Sequence, residues 1–167
     1  MFLKLSLSQQ SLKLSLSQQS LKLMEGDVCL CRYIVSTALR GAGEQKNSEQ
    51  TPRGAHYVRA KIGHDRPLNA VFVGRRFTGE IYSPELAQRF PGRDWILTRI
   101  LWLCGNEPGR NRLGNVDTMQ RYIYIHGTPD TEAMGVPLSH GCIRMRNSDL
   151  VDLFDRVALG TSIQIEE

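Results

Sequence analysis

The chain has 167 residues, 41% of them hydrophobic and 23% charged. That is the length and composition of one globular domain, and it excludes a collagen-like or wholly disordered polymer. The formal charge of +4 is mild and Lys and Arg are spread along the sequence, so no nucleic-acid-binding stripe is expected.

Residues 3–11 read LKLSLSQQS, and residues 12–20 repeat the same nine. Two copies are too few for a solenoid. Leu12, Leu14 and Leu16 alternate with Lys13, Ser15 and Ser17, the two-residue period of a half-buried strand. The second copy is therefore expected to open a domain over residues 12–167, with residues 1–11 as a duplicated, flexible tail. No export signal is read at the N-terminus, which lacks a basic segment followed by a continuous apolar one. No stretch approaches the roughly 18 apolar residues of a membrane span.

Residues 20–24 and 28–35 are strand-like and joined by the turn Glu25-Gly26-Asp27. A polar loop over 41–54 precedes short strands at 56–62 and 68–73. Ser83 as N-cap and Pro84 at the first helical position predict a brief helix, ended by Pro91-Gly92. The apolar run 95–103 predicts a buried strand, with Trp95 and Trp102 on opposite faces and serving packing. Residues 105–117 form a long loop. RYIYI at 121–125 predicts a strand that ends at His126-Gly127, with Tyr122 and Tyr124 as sheet surface or core and Arg121 as a structural residue. Asn147 is expected to cap a helix whose apolar side carries Leu150, Val151, Phe154 and Val157, closed by Gly160. A last strand covers 161–166. Many short strands with one or two short helices make a mainly β fold, a sandwich or partial barrel.

Chemistry concentrates in His126-Gly127-Thr128 and Ser139-His140-Gly141-Cys142. A lone cysteine is ordinarily a small buried hydrophobe, and Cys29, Cys31 and Cys104 are read as ordinary core or strand residues. Four cysteines in a chain this long do not make a disulfide-stapled mini-domain, so they are read as free thiols. His56 and His64 have no motif around them. Cys142 differs. Gly141 lets the backbone come close to a ligand. A thiol with an ordinary pKa near 8.5 needs a base to become nucleophilic, and His126 and His140 are candidates. Backbone N–H groups near Gly141 and Cys142 could hold an oxyanion. The rival reading is a zinc site made by His126, His140 and Cys142. It lacks a CxxC or HExxH pair and an evident fourth ligand.

His126-Gly127, a spacer, and then Ser139-His140-Gly141-Cys142-Ile143-Arg144 resemble the signature of the L,D-transpeptidase catalytic domain, also called the YkuD domain. Ser36-Thr37-Ala38, Gly41, Gly43, Ser48, Thr51-Pro52 and Gly54 are similar to an early region of that family, so the resemblance covers about residues 12–166. It implies an L,D-transpeptidase-like β fold and a cysteine acyltransferase that needs no cofactor or metal. Cys142 would form a thioester with a peptidoglycan stem peptide, and His126 would be the base, oriented by the backbone carbonyl of Gly127. His140, Gly141 and the Cys142 N–H would shape the oxyanion site, Ser139 would support the turn, and Arg144 would face anionic groups of the donor. An amine acceptor gives a cross-link and water gives carboxypeptidase action. Covalent inhibition by carbapenems is implied too, as is a place in the cell envelope or periplasm, although the missing export signal leaves the cytoplasm open. The loop at 105–117 is expected to border the cleft. A non-catalytic wall-binding module on the same fold is the rival from another class, and the intact Cys142/His126 pair argues against it.

Overall fold

A computed structural model describes residues 9–167. The chain opens with a meander of β1 (Gln10–Ser15), β2 (Ser20–Glu25) and β3 (Val28–Ser36), then crosses a long loop to β4 (Gly54–Ile62). A hairpin of β5 (Ala70–Val73) and β6 (Arg76–Ile81) leads through α1 (Pro84–Arg89) into the long strand β7 (Ile96–Gly105). Next come β8 (Tyr124–Gly127), β9 (Ile143–Met145), α2 (Asn147–Arg156) and β10 (Ser162–Glu166).

Eight of these strands close on themselves in the order β4, β10, β1, β2, β3, β9, β8, β7, and β7 pairs back onto β4. Closure removes the unpaired edges that an open sheet of this size would present. β7 can serve both β4 and the hairpin because it is long. Residues 100–105 pair with β4, whereas Ile96 and Leu97 pair with β5. The β5–β6 hairpin therefore stands outside the closed ring.

The leucine alternation sets the inside. Leu12, Leu14, Leu21 and Leu23 are buried, while Lys13 is exposed. With Leu101, Leu103, Ile125, Ile143, Met145 and the α2 residues Leu150, Leu153 and Phe154, they form one core. Each fully buried aliphatic side chain of this kind contributes about 1.5–3 kcal/mol. The expected helix start at residue 83 is present. The Ser83 hydroxyl accepts the Leu86 N–H at 3.1 Å and Pro84 occupies the first turn.

Several elements differ from the sequence expectation. The first eight residues, most of the expected tail, lie outside the described residues, and β1 already begins at Gln10. The strand β6 has no apolar alternation to mark it. β8 starts at Tyr124, not Arg121, because Tyr122 turns with φ of 57°. Trp95 precedes β7, and a bulge between Leu97 and Ile100 breaks the alternation that would have set it opposite Trp102. Asn147 is not the cap. Arg146 holds that position, and the Asn147 side chain turns into the sheet. Cys29 and Cys31 are strand residues of β3, as expected, Cys29 exposed and Cys31 half-buried, because only Val35 and Ser36 at the far end of β3 gain a second partner strand. Cys104 is buried, as expected, and all four thiols are free. No helix among the described residues is long and apolar enough to cross a membrane.

Candidate active site

β8 and β9 are parallel neighbours with Ile125 opposite Ile143 and His126 opposite Arg144. Side chains alternate across a strand, so this register divides the two strands cleanly. Ile125, Ile143 and Met145 point into the barrel core. His126 and Arg144 point outward, with Tyr124 and Cys142 two residues before them on the same side. All four line one outward-facing pocket of about 480 Å³. The parallel pairing brings residues sixteen apart in sequence to diagonal positions on a single face.

The His126 ring is buried, and its Nδ1–H donates to the Gly127 carbonyl at 2.7 Å. A carbonyl only accepts, so in the neutral ring the unprotonated nitrogen is Nε2. Gly127 is held just as closely. A Cβ there would lie 2.2 Å from Asn147 Oδ1 and 2.5 Å from the Leu97 carbonyl. Asn147 is the brace behind it. Its Nδ2 donates to the Thr128 carbonyl at 2.9 Å, and its Oδ1 accepts from the Thr98 hydroxyl at 2.5 Å. Thr98 reaches Asn147 because the β7 bulge puts it at φ of 75°, a left-handed conformation rare for a β-branched residue.

The Ser139–Cys142 turn is built from the early loop. The Ser139 hydroxyl donates to the Cys142 carbonyl at 2.6 Å and accepts the Gly141 N–H at 3.2 Å. Gly141 adopts φ of 131°, where L side chains are rarely found, and a Cβ would meet the Gln50 carbonyl at 3.3 Å. The buried Thr51 hydroxyl donates to the Gly141 carbonyl at 2.9 Å and accepts the Ala38 N–H at 3.1 Å. The Thr37 carbonyl accepts the Leu138 and Ser139 N–H groups, each at 2.9 Å, so Thr37 and Thr51, parts of the early motif, hold the turn from ninety or more residues away in sequence. Arg121 bonds the Gly43 and Gln50 carbonyls at 3.2 and 2.6 Å, fixing the same loop, in line with its expected structural role. His140 is exposed at the pocket rim.

The Cys142 thiol donates to the Tyr122 carbonyl and accepts the Tyr124 N–H, each at 3.3 Å. Among the described residues these backbone groups, and not the His126 ring, are its hydrogen-bond partners. Burial pushes the thiol up to about 11, opposed by the Tyr124 N–H. Burial also lowers His126 below its ordinary value, opposed by the Gly127 carbonyl. Both effects disfavour charge, so the pair rests as a neutral thiol beside a neutral imidazole. Arg144 donates to Asp94 at 3.3 Å across the pocket mouth.

The opposite wall comes from outside the motif. Gly74, Arg75, Asp94, Ile96, Tyr122 and Tyr124 complete the lining. The β5–β6 hairpin packs on the outer face of the barrel through Phe72 and Phe77, and its tip overhangs the pocket. Sequence reasoning missed these residues and placed the loop 105–117 at the cleft instead. That loop faces residues 42–53 across a separate groove. It is ordered by the buried Asn111, which donates to the Arg53 and Ala55 carbonyls at 3.1 and 3.0 Å. The two φ-positive residues at 74 and 75 mark a hairpin turn, and the Gly74-Arg75 pair was the available signal. His56, given no role, is buried with its ring between the Thr118 hydroxyl and the Gly54 carbonyl. Among the described residues no group of three or more His, Cys, Asp or Glu side chains is placed to hold a metal ion, so the ligands of the zinc reading do not converge.

Known proteins share this fold. The family model of the L,D-transpeptidase catalytic domain, YkuD, matches residues 9–165. The probable L,D-transpeptidase YbiS of Escherichia coli K12 is 46% identical over 44 residues, 26% of this chain and 14% of that protein. The probable L,D-transpeptidase ErfK/SrfK of Salmonella typhimurium is 49% identical over 45 residues, 27% of this chain and 15% of that protein. The chain thus matches only a small part of those relatives' length. Among solved structures, an L,D-transpeptidase from Mycobacterium smegmatis aligns with a TM-score of 0.55 at 17% identity, over 95% of this chain and 59% of its own. L,D-transpeptidase 3 of Mycobacterium tuberculosis, in complex with a faropenem-derived adduct, gives 0.57 at 16% identity, over 95% and 60%. These likenesses agree on the fold, and the family model spans nearly the whole chain: the protein belongs to the L,D-transpeptidase catalytic domain family.

Proposed function

We propose that this chain is a cysteine acyltransferase acting on peptidoglycan stem peptides in the cell envelope, with Cys142 as nucleophile and His126 as general base. The observation that carries this reading is the shared pocket, with thiol and imidazole on one face of two paired strands and the imidazole lone pair at Nε2. Rotation about χ1 of Cys142 releases its sulfur from the Tyr122 and Tyr124 backbone and turns it toward His126. Catalytic hydrogen bonds are often completed only when substrate binds.

In the reaction the thiol proton passes to His126 Nε2 as Sγ attacks the donor's amide carbonyl. The oxyanion is held by the Cys142 backbone N–H and the turn around His140 and Gly141, while Ser139 keeps that turn in shape. The C–N bond then breaks, and the leaving amine takes the proton from His126. A thioester remains, and an acceptor amine resolves it by attacking the same carbonyl and returning the thiol. Water in place of the amine gives hydrolysis. The Gly127 carbonyl steadies the imidazolium that forms in between, and Arg144 faces the donor's anionic groups.

A structurally similar L,D-transpeptidase, LdtMt1, has been solved in complex with imipenem, and the same class of probe tests this chain. Incubation with imipenem is expected to add one acyl adduct, seen by intact mass, in the native protein and none in Cys142→Ala. An adduct of equal stoichiometry in Cys142→Ala would overturn the assignment of the nucleophile.

A further inference from the structure

The pocket holds two guanidinium groups in unlike circumstances. Arg144 is partnered by the Asp94 carboxylate at 3.3 Å and by the Leu138 carbonyl at 3.5 Å. Arg75 lies at the hairpin tip, where it and Gly74 have φ of 63° and 55°, and it faces the same pocket as Cys142. Its guanidinium lies over the Trp102 ring at 4.4 Å and near the Tyr122 ring at 5.2 Å. One Nη1–H donates to the Tyr124 hydroxyl at 3.0 Å. Among the described residues Arg75 has no carboxylate partner. Three aromatic groups hold the fork in place, and one of its five N–H donors is engaged.

We infer that Arg75 binds a carboxylate of the donor peptide and so selects donors that carry one, an inference that rests on the acyl-donor reading of this pocket. A planar, preheld guanidinium with free donors matches a carboxylate with two parallel hydrogen bonds. Stacking on Trp102 and Tyr122 fixes the group before the ligand arrives, so little side-chain freedom is lost on binding. Arg144, at the other side of the donor, already shares its guanidinium with Asp94 at 3.3 Å, so Arg75 is the one with donors free for a further carboxylate. The cradle also gives the aromatic side chains a role, since those of Trp102, Tyr122 and Tyr124 each touch Arg75, while only the Tyr122 and Tyr124 backbone meets the thiol.

The test compares stem-peptide donors with each carboxylate free or converted to its amide, in the native protein, Arg75→Gln and Arg75→Lys. The native protein is expected to favour one free carboxylate by roughly ten- to a hundredfold in kcat/KM, carried by KM, as for hydrogen bonds to a charged group. That ratio should fall to near one in Arg75→Gln and lie between in Arg75→Lys. An unchanged ratio in Arg75→Gln, with both donors slowed alike, would mean that the arginine only supports the wall, and it overturns the inference. A second arm needs no turnover. Alkylation at Cys142 by iodoacetate and iodoacetamide, followed on the peptide carrying it because Cys29 is exposed and Cys31 half-buried, reports how the pocket treats an anion against its neutral analogue. The iodoacetate preference should drop in Arg75→Gln, and an equal preference in both proteins counts against the inference. If no donor is turned over, the acyltransferase reading fails while this arm still decides whether Arg75 holds an anion.

Discussion

The two faces of β8 and β9 were built under opposite demands. Inward, Ile125, Ile143 and Met145 meet the leucines of β1 and β2 and the apolar side of α2. They need volume and apolarity, and neighbours of similar size could replace them with modest loss. Outward, His126, Cys142 and Arg144 sit a single peptide unit away, yet their value lies in which atom points where. The inner face stabilises the strands, and the outer face uses their fixed register as a jig. Chemistry placed on a barrel wall gains position without disturbing the core, provided every side chain keeps to its own side.

The sharpest way to break this comparison is to remove one outward group and leave the inside intact. His126→Asn keeps a polar side chain of smaller size and removes the base. Acylation by imipenem should slow by about 10²- to 10⁴-fold, the range of a positioned general base, while thermal unfolding stays close to the native midpoint. A rate within threefold of native would mean that the thiol is activated by something other than His126.

The converse substitution is Ile125→Ala, inward between Tyr124 and His126. Deleting a fully buried isoleucine should cost about 2–5 kcal/mol of unfolding free energy, read by urea titration. Acylation per folded molecule should stay within a few fold of native at a temperature well below unfolding. If the two quantities fall together, the faces are not separable and the register is softer than the pairing suggests.

Much of this was legible because it is local. The alternation of Leu12 and Leu14, the Ser83-Pro84 helix start and the Ser139–Cys142 turn each declare themselves within a few residues. The parts that escaped depend on partners far along the chain. Asn147 looks like a helix cap, since Asn commonly is one, and only the bulge at Thr98 and the glycine at 127 turn it inward as a brace. Tyr122 and Tyr124 read as one alternating strand until the positive φ of Tyr122 separates them. The hairpin bearing Arg75 carries too little apolar pattern to show which face of which strand it covers. The loop at 105–117 had the composition of a cleft border, yet the buried Asn111 ties it to β4 and the loop before it.

The smallest expected effect lies along the pH axis, and its sign follows from burial of the outward pair. The proposed base, His126, works only when neutral. Burial lowers His126 from its ordinary value of 6.5, so the acid limb of the acylation rate should be centred below pH 6.5. Stability moves in the same window for a related reason. His56 is buried neutral and pushed down to about 4. Between pH 6.5 and about 4 the unfolded chain binds a proton that the folded chain refuses, so stability present above 6.5 is lost as the pH falls. Acylation rates below pH 5 must therefore be divided by the folded fraction, measured by circular dichroism at each pH. A limb that stays centred at or above 6.5 after that correction would mean that the working base is not the buried His126 imidazole. The comparison would then shift, because the outward face would owe its base to something other than the strand that positions His126.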